Sequence, residues 1–258
     1  MVRRDVAVTR SYRLAFVLDI FFGVLNLAMF FFISRTFNGV QDTVNLHGAP
    51  SYFAFASVGI AITIVIDAAS TGLAQRIRGE QLAGTLEALL IQPVTVGEVA
   101  FGLAGFPFVF AMVRSFFYLV IAAIWFHVDL GHASFPGFIL VLVTAGAAFT
   151  GLGILLGAVV LIVKRGDVLV GMVIFAMGLI SGAFYPIRVL PDWLETIGRA
   201  MPTRFAFDGL RSAMFLGSGW WVDVGALVIY ALIGIPLAIW VFQVALRHSQ
   251  RTGSLGQY

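Results

Sequence analysis

The sequence predicts an all-α polytopic membrane protein, and three observations predict it. Of its 258 residues 60% are hydrophobic and 11% charged, where a soluble domain carries about 25% charged residues. The apolar residues fall into six runs, each near the ~20 residues that cross a bilayer as a helix. Lys and Arg concentrate in alternate connections between those runs, as the positive-inside bias requires. The length leaves no room for a separate soluble domain, so a single transmembrane domain over residues 1–258 is expected. There is no cysteine, which excludes disulfides, thiolate metal sites and thiol nucleophiles. The isoelectric point near 9.6 comes from basic residues beside apolar runs. It therefore points to anionic lipid headgroups, with no nucleic acid expected.

Residues 1–13 hold Arg3, Arg4, Arg10 and Arg13 among scattered apolar residues. They read either as an interfacial helix on the headgroups or as the positive flank of the first span. Span one is 14–33. It is a full span long and Phe32-Ile33-Ser34 is a poor cleavage site, so no cleavable signal peptide is expected here. A polar loop at 35–50 carries Asn38-Gly39 and Gly48-Ala49-Pro50 as turn signals. Span two is 52–71. Residues 75–98 then form the one long polar-amphipathic interruption in the first two thirds of the chain. Span three, 99–126, is long enough to be tilted or to begin as a surface helix. Span four is 138–163, and Lys164-Arg165-Gly166-Asp167 makes a tight charged turn. Span five is 168–185, a semi-polar segment covers 186–220, and span six is 221–246.

Both termini fall on one side, and the arginines place that side in the cytoplasm. Arg3, Arg4, Arg10, Arg13, Arg76, Arg78, Lys164, Arg165, Arg247 and Arg251 lie inside, against Arg35 alone in the first two outer loops. Arg188, Arg199, Arg204 and Arg211 in the last outer segment run against the bias without reversing it. Gly153/Gly157 and Gly178/Gly182 are each four apart and would bare a helix face for close approach. Such a face serves a dimer or translocation seam, or packing within the subunit.

From Arg76 to Leu90, Leu82, Leu86, Leu89 and Leu90 recur at helical spacing, with Arg78, Glu80, Gln81 and Glu87 largely off the stripe. Gln92-Pro93 closes the helix, because the residue before proline is pushed out of the α region. A helix this polar cannot span, so it is expected along the cytoplasmic membrane surface or in a partner's groove. A lever for a soluble motor and an ordinary solvated loop helix both fit these features. In the segment 186–220, Pro191 suits a first helical position. Trp193, Leu194, Ile197 and Met201 would form one face of a short helix ended by Pro202. A second short helix follows, with Ala206, Leu210, Ala213 and Met214 on one side and Arg204, Asp208 and Arg211 on the other, spaced to pair. Two half-length amphipathic helices fit a re-entrant hairpin in the outer leaflet, its charges towards headgroups or water. Trp220-Trp221 would mark the interface.

Glu80, Gly84-Thr85-Leu86-Glu87-Ala88-Leu89-Leu90, Gln92-Pro93-Val94-Thr95 and Glu98 resemble the signature after span two in type 2 ABC exporter permeases. Tyr185-Pro186-Ile187, Leu190-Pro191-Asp192-Trp193-Leu194, Met201-Pro202-Thr203 and Asp208-Gly209-Leu210-Arg211 resemble that family's segment between spans five and six. The resemblance implies that residues 75–92 are a coupling helix seated on a separate nucleotide-binding ATPase. Its contacts would be Arg76, Arg78, Glu80, Gly84, Thr85, Leu86, Glu87 and Leu90. It also implies that 186–220 forms the outer gate, with Pro186, Pro191, Trp193, Pro202, Asp208 and Arg211.

The chain contains no G-x-x-x-x-G-K-[ST], and its one lysine, Lys164, follows valine. ATP and Mg are therefore expected on the partner subunit, with no cofactor on this chain and no catalysis by it. No metal site is expected either, the histidines being isolated apart from His127 and His132 around Asp129. Asp19 and Asp67 near the inner ends of spans one and two, and Arg114 in span three, are intramembrane charges that should pair. Such a pair would line the pathway or serve structure alone. The expected function is the permease of an exporter in the bacterial inner (plasma) membrane. It would work as a homo- or heterodimer of permeases and move an amphipathic, lipid-like or drug-like substrate. An ion-coupled secondary transporter or channel is the alternative.

Overall fold

The computed structural model of the chain describes residues 13–36, 46–82, 96–162, 172–173, 175–178 and 180–251. Among these residues all regular structure is helical: α1 (Arg13–Thr36), α2 (Tyr52–Ala69), α3 (Thr71–Leu82), α4 (Val96–Phe126) and α5 (Phe135–Ile162). A 3-10 turn (Ile187–Val189), α6 (Asp192–Ala200), α7 (Pro202–Arg211), a π turn (Ser212–Leu216) and α8 (Trp221–Arg251) complete the order. Four stretches are long and apolar enough to cross a membrane: Tyr52–Glu80, Gly105–Phe126, Phe135–Val160 and Trp221–Arg247. They correspond to the expected spans two, three, four and six. A shorter apolar stretch, Ile20–Thr36, lies in α1, where span one was expected. Residues 168–171, 174 and 179 of the expected span five, and the interfacial segment before Arg13, lie outside the described residues.

Burial ranks the helices. On α2 every residue from Phe53 to Ile62 is buried, which is why this helix is apolar all round instead of on one stripe. Small residues (Ala54, Ala56, Ser57, Gly59, Ala61) let neighbouring backbones approach it. α4 and α8 sit at the rim and present Val109, Val113, Phe116, Phe117, Ile229, Leu232, Ile233 and Leu237 outwards. An apolar face of that extent is a liability in water and the favoured contact in hydrocarbon.

Three glycines on α5 set its seams. A Cβ at Gly151 would lie 3.0 Å from the carbonyl carbon of Gly234 on α8. One at Gly153 would lie 2.4 Å from the Ala69 carbonyl oxygen, and one at Gly157 2.6 Å from Ile77 Cδ1. The Gly153/Gly157 face is thus used inside the subunit. The expected Gly178/Gly182 face does not form, because Gly182 has φ +75° in the turn after the helical positions. Only a residue without Cβ takes that conformation at no cost.

The polar helix after span two also differs from expectation. Instead of starting at Arg76, the helix α3 starts at Thr71, directly off the end of α2. The two are separated by a bend at Ser70, whose hydroxyl donates to the Ile66 carbonyl at 2.6 Å. Such back-bonding bends helices. Leu73 and Ile77 are buried with Leu103, Ile154, Ala238 and Phe242, a gain of roughly 1.5–3 kcal/mol for each large side chain. This inner packing outweighs the polar character of Gln75, Arg76, Arg78 and Glu80, which keep to the remaining surface. Residues 83–95, with most of the expected leucine stripe, lie outside the described residues.

Candidate functional site

At the end of the bundle where α2 begins, the segment 181–191 and the short helices fold over the helix ends. The local sequence explains each corner. Pro191, extended at ψ 147°, stands just before α6 as its N-cap, one position earlier than the sequence suggested. Asp192 and Glu195 occupy the first turn of α6 and Arg199 the last, the arrangement that complements the helix dipole. Met201, at ψ 144°, ends α6 and starts α7, with Pro202 in the first helical turn. Gly209 lets α7 lie against α8, since a Cβ there would meet Asp223 Cβ at 2.9 Å.

α7 buries Thr203, Ala206, Phe207, Leu210 and Arg211. The last is the finding that sequence reasoning missed. Arg211 is expected to face headgroups or water, yet it is 1% exposed. Its guanidinium lies over the Phe55 ring at 3.4 Å from the centroid. Nη2 donates to the carbonyls of Gly182 and Ala183, each at 3.0 Å, and to that of Phe55 at 3.5 Å. Asp208 supplies the nearest carboxylate, at 3.9 Å from Nη1. Burial pushes the Arg211 pKa down to about 9 while the Asp208 charge pulls it up, so it remains a cation at neutral pH. One side chain thereby clamps three segments: α7, the Gly182 turn and the start of α2. Gly59 makes room for the clamp, because a Cβ there would sit 2.2 Å from the Ala183 oxygen.

Above the clamp lies a cavity of about 150 Å³, lined by Arg188, Glu195, Arg199, Arg204, Asp208 and Arg211 together with His47, Phe55 and Pro186. Arg199 bonds Glu195 at 2.5 Å. Arg204 bonds Asp208 at 3.2 Å, and His47 Nε2 stands 3.5 Å from the same carboxylate. Asp208, Arg211 and Pro186 are thus brought together as the sequence suggested. Trp193 is not: it is 65% exposed. Trp193 and Ile197 point outwards, and Gly198 is what α6 buries, with its Cβ position 2.8 Å from the Ile180 oxygen. Trp220 is buried and only Trp221 is exposed. Arg204 pairs with Asp208 as its spacing suggested, while Arg188, Glu195 and Arg199 belong to the chamber though no motif singled them out. Their signal was the run of arginines against the charge bias.

The other expected site residues lie apart from the chamber. Arg76, Arg78 and Glu80 are half-buried on α3, while Gly84, Thr85, Leu86, Glu87 and Leu90 lie outside the described residues. So does the side chain of Asp19. Asp67 is exposed at a largely apolar cavity of about 130 Å³ with Ile66, Met177, Phe184 and Phe207 on its walls. No ion pair joins Asp67 to Arg114 among the described residues, and the other expected partner of Arg114, Asp19, has its side chain outside them. Arg114 on α4 lies 5.8 Å from the Tyr118 ring centroid. No group of three or more His, Asp or Glu that could hold a metal occurs among the described residues.

A family model described as ABC-2 type transporter matches residues 2–215. Among curated proteins none matches the sequence.

Proposed function

The chain belongs to the ABC-2 type transporter family as a transmembrane subunit of such a transporter, and we propose that it is the permease of an exporter worked by a separate ATPase. The observation that carries the proposal is the α2–α3 rod. Tyr52–Glu80 is a helical stretch of 29 residues, about 44 Å at 1.5 Å per residue, bent once at Ser70. One end holds Phe55 under the Arg211 clamp. The other carries Arg76, Arg78 and Glu80, and in the sequence Gly84-Thr85-Leu86-Glu87 follow.

In this reading the ATPase grips residues 75–92 from the cytoplasm and its closure on ATP and Mg pushes the rod. Because the rod is buried for most of its length, it moves as a unit, and the displacement reaches the clamp at the outer end. The clamp is a set of discrete hydrogen bonds, so it is either made or broken, as a gate requires. Two permease copies, or one with a related partner, would enclose the path. The apolar Asp67 cavity and the abundance of Phe favour an amphipathic, lipid-like or drug-like substrate in a bacterial inner membrane.

The test is co-purification of the tagged full chain in mild detergent, with ATPase activity assayed on what accompanies it. Wild type is compared with the double change Leu86→Asp, Glu87→Arg. An accompanying ATPase, lost in the double variant, is expected. If the chain purifies alone and ATP changes nothing, the ATPase-driven reading fails and ion-coupled transport is the one to pursue.

A further inference from the structure

We propose that the chamber between the 3-10 turn, α6 and α7 binds a phosphate group, as the free dianion or as the headgroup of an anionic lipid. The charge balance is the first argument. Four guanidiniums, Arg188, Arg199, Arg204 and Arg211, face two carboxylates, Glu195 and Asp208, around one cavity of about 150 Å³. Two positive charges are left over among the lining groups, the neighbouring carboxylate of Asp223 lying outside the lining. Local pairing shows where they reside. Arg199 is committed to Glu195 and Arg204 to Asp208. Asp208 also meets His47, so it has little left to offer Arg211 at 3.9 Å. Arg188, exposed beside the cavity, makes no ion pair or hydrogen bond among the described residues. The surplus sits on Arg188 and Arg211.

The second argument is an unmet hydrogen bond. Arg211 is almost wholly buried, and its Nε has no hydrogen-bond partner. A buried cation keeps its charge only where something compensates it. Three backbone carbonyls compensate Arg211 as dipoles, and its one counter-charge, Asp208 at 3.9 Å, is shared with Arg204 and His47. An anion in the chamber supplies it. The donors also select the kind of anion. Guanidiniums are planar forks that match phosphate oxygens two at a time, and a dianion balances two surplus charges where a carboxylate would balance one. Exposed on the rim, Arg188 can close over an oxygen that points outwards.

The inference concerns the permease chain by itself and does not depend on an ATPase partner. Full-length chain is purified in an uncharged maltoside detergent, and binding of radiolabelled inorganic phosphate is measured at equilibrium. Retention of phosphatidic acid against phosphatidylcholine is measured in parallel by native mass spectrometry. Arg188→Gln leaves the packed interior untouched, because Arg188 is exposed and makes no side-chain hydrogen bond or ion pair among the described residues. It is expected to weaken the bound anion about tenfold, the loss of one charge-assisted contact. Glu195→Gln, which frees Arg199, is expected to tighten it. Saturable phosphate binding that follows this pattern identifies a free-phosphate site. The same pattern in phosphatidic acid retention, without phosphate binding, identifies a lipid headgroup. Binding of neither probe, or binding that ignores both substitutions in a protein that elutes as wild type, overturns the proposal.

Discussion

Gly59→Ala is the sharpest test of the Arg211 clamp. The new Cβ would sit 2.2 Å from the Ala183 oxygen and 3.4 Å from Arg211 Nη2. The first distance lies more than 1 Å inside contact, and the obstacle is backbone, so it cannot swing aside as a side-chain tip would. Either α2 and the Gly182 turn separate, or the carbonyl moves off its bond with Arg211. Overpacking of this kind costs about 1–3 kcal/mol, and weakening a hydrogen bond from a charged donor costs about 1.5–3 kcal/mol. Alanine's better helix propensity returns about 1 kcal/mol. The net loss is about 1.5–5 kcal/mol, which for a chain of this size lowers the melting temperature by roughly 3–20 °C. The assay is thermal melting of purified protein in detergent, read as the monodisperse fraction surviving on a size-exclusion column. Gly225→Ala on α8 is the control, since a Cβ there meets nothing within 4 Å. It should melt at or slightly above wild type. If Gly59→Ala melts with Gly225→Ala, the close approach of α2 to the turn is wrong, and the clamp with it.

Arg211→Met strips the Gly182 and Ala183 carbonyls of their donor and should cost about 2–4 kcal/mol. Arg211→Lys should not rescue the melt, because an ammonium cannot both stack on Phe55 and fork to two carbonyls. Gly153→Val forces a Cβ to within 2.4 Å of the Ala69 oxygen at the α2–α3 bend. It should lower the melting temperature and, as the bend transmits motion in the proposed mechanism, reduce ATP-driven transport in vesicles. Tyr230→Phe removes the hydroxyl that donates to the Ala200 carbonyl and should cost about 1 kcal/mol, a shift of roughly 2–4 °C. Glu195→Gln breaks a pair whose arginine is 60% exposed, so its effect on the melt should stay within about 1 kcal/mol. A large drop there would show α6 to be held by that pair instead of by Gly198.

Hydropathy and helical period are local properties, and what depends on them was legible in the sequence. The helical architecture, the four long apolar stretches, the corners at Pro191 and Pro202 and the buried side of α7 at Ala206 and Leu210 follow from runs of neighbouring residues. So do the motifs that carry the family. What needed the tertiary structure depends on residues far apart in the chain. Arg204, Asp208 and Arg211 share a helix face by spacing, and spacing alone sends all three to water. Arg211 turns inwards because Phe55, 156 residues away, offers a ring and a carbonyl, and because Gly182 and Gly59 leave space for two more acceptors. Polar character likewise put the start of the helix after span two at Arg76 in the sequence reading. The tertiary fold starts α3 at Thr71, because Leu73 and Ile77 fill a cavity between α4, α5 and α8. A charge or a polar helix announces itself in one dimension, but where it can be accommodated is decided by which backbones come close enough in three.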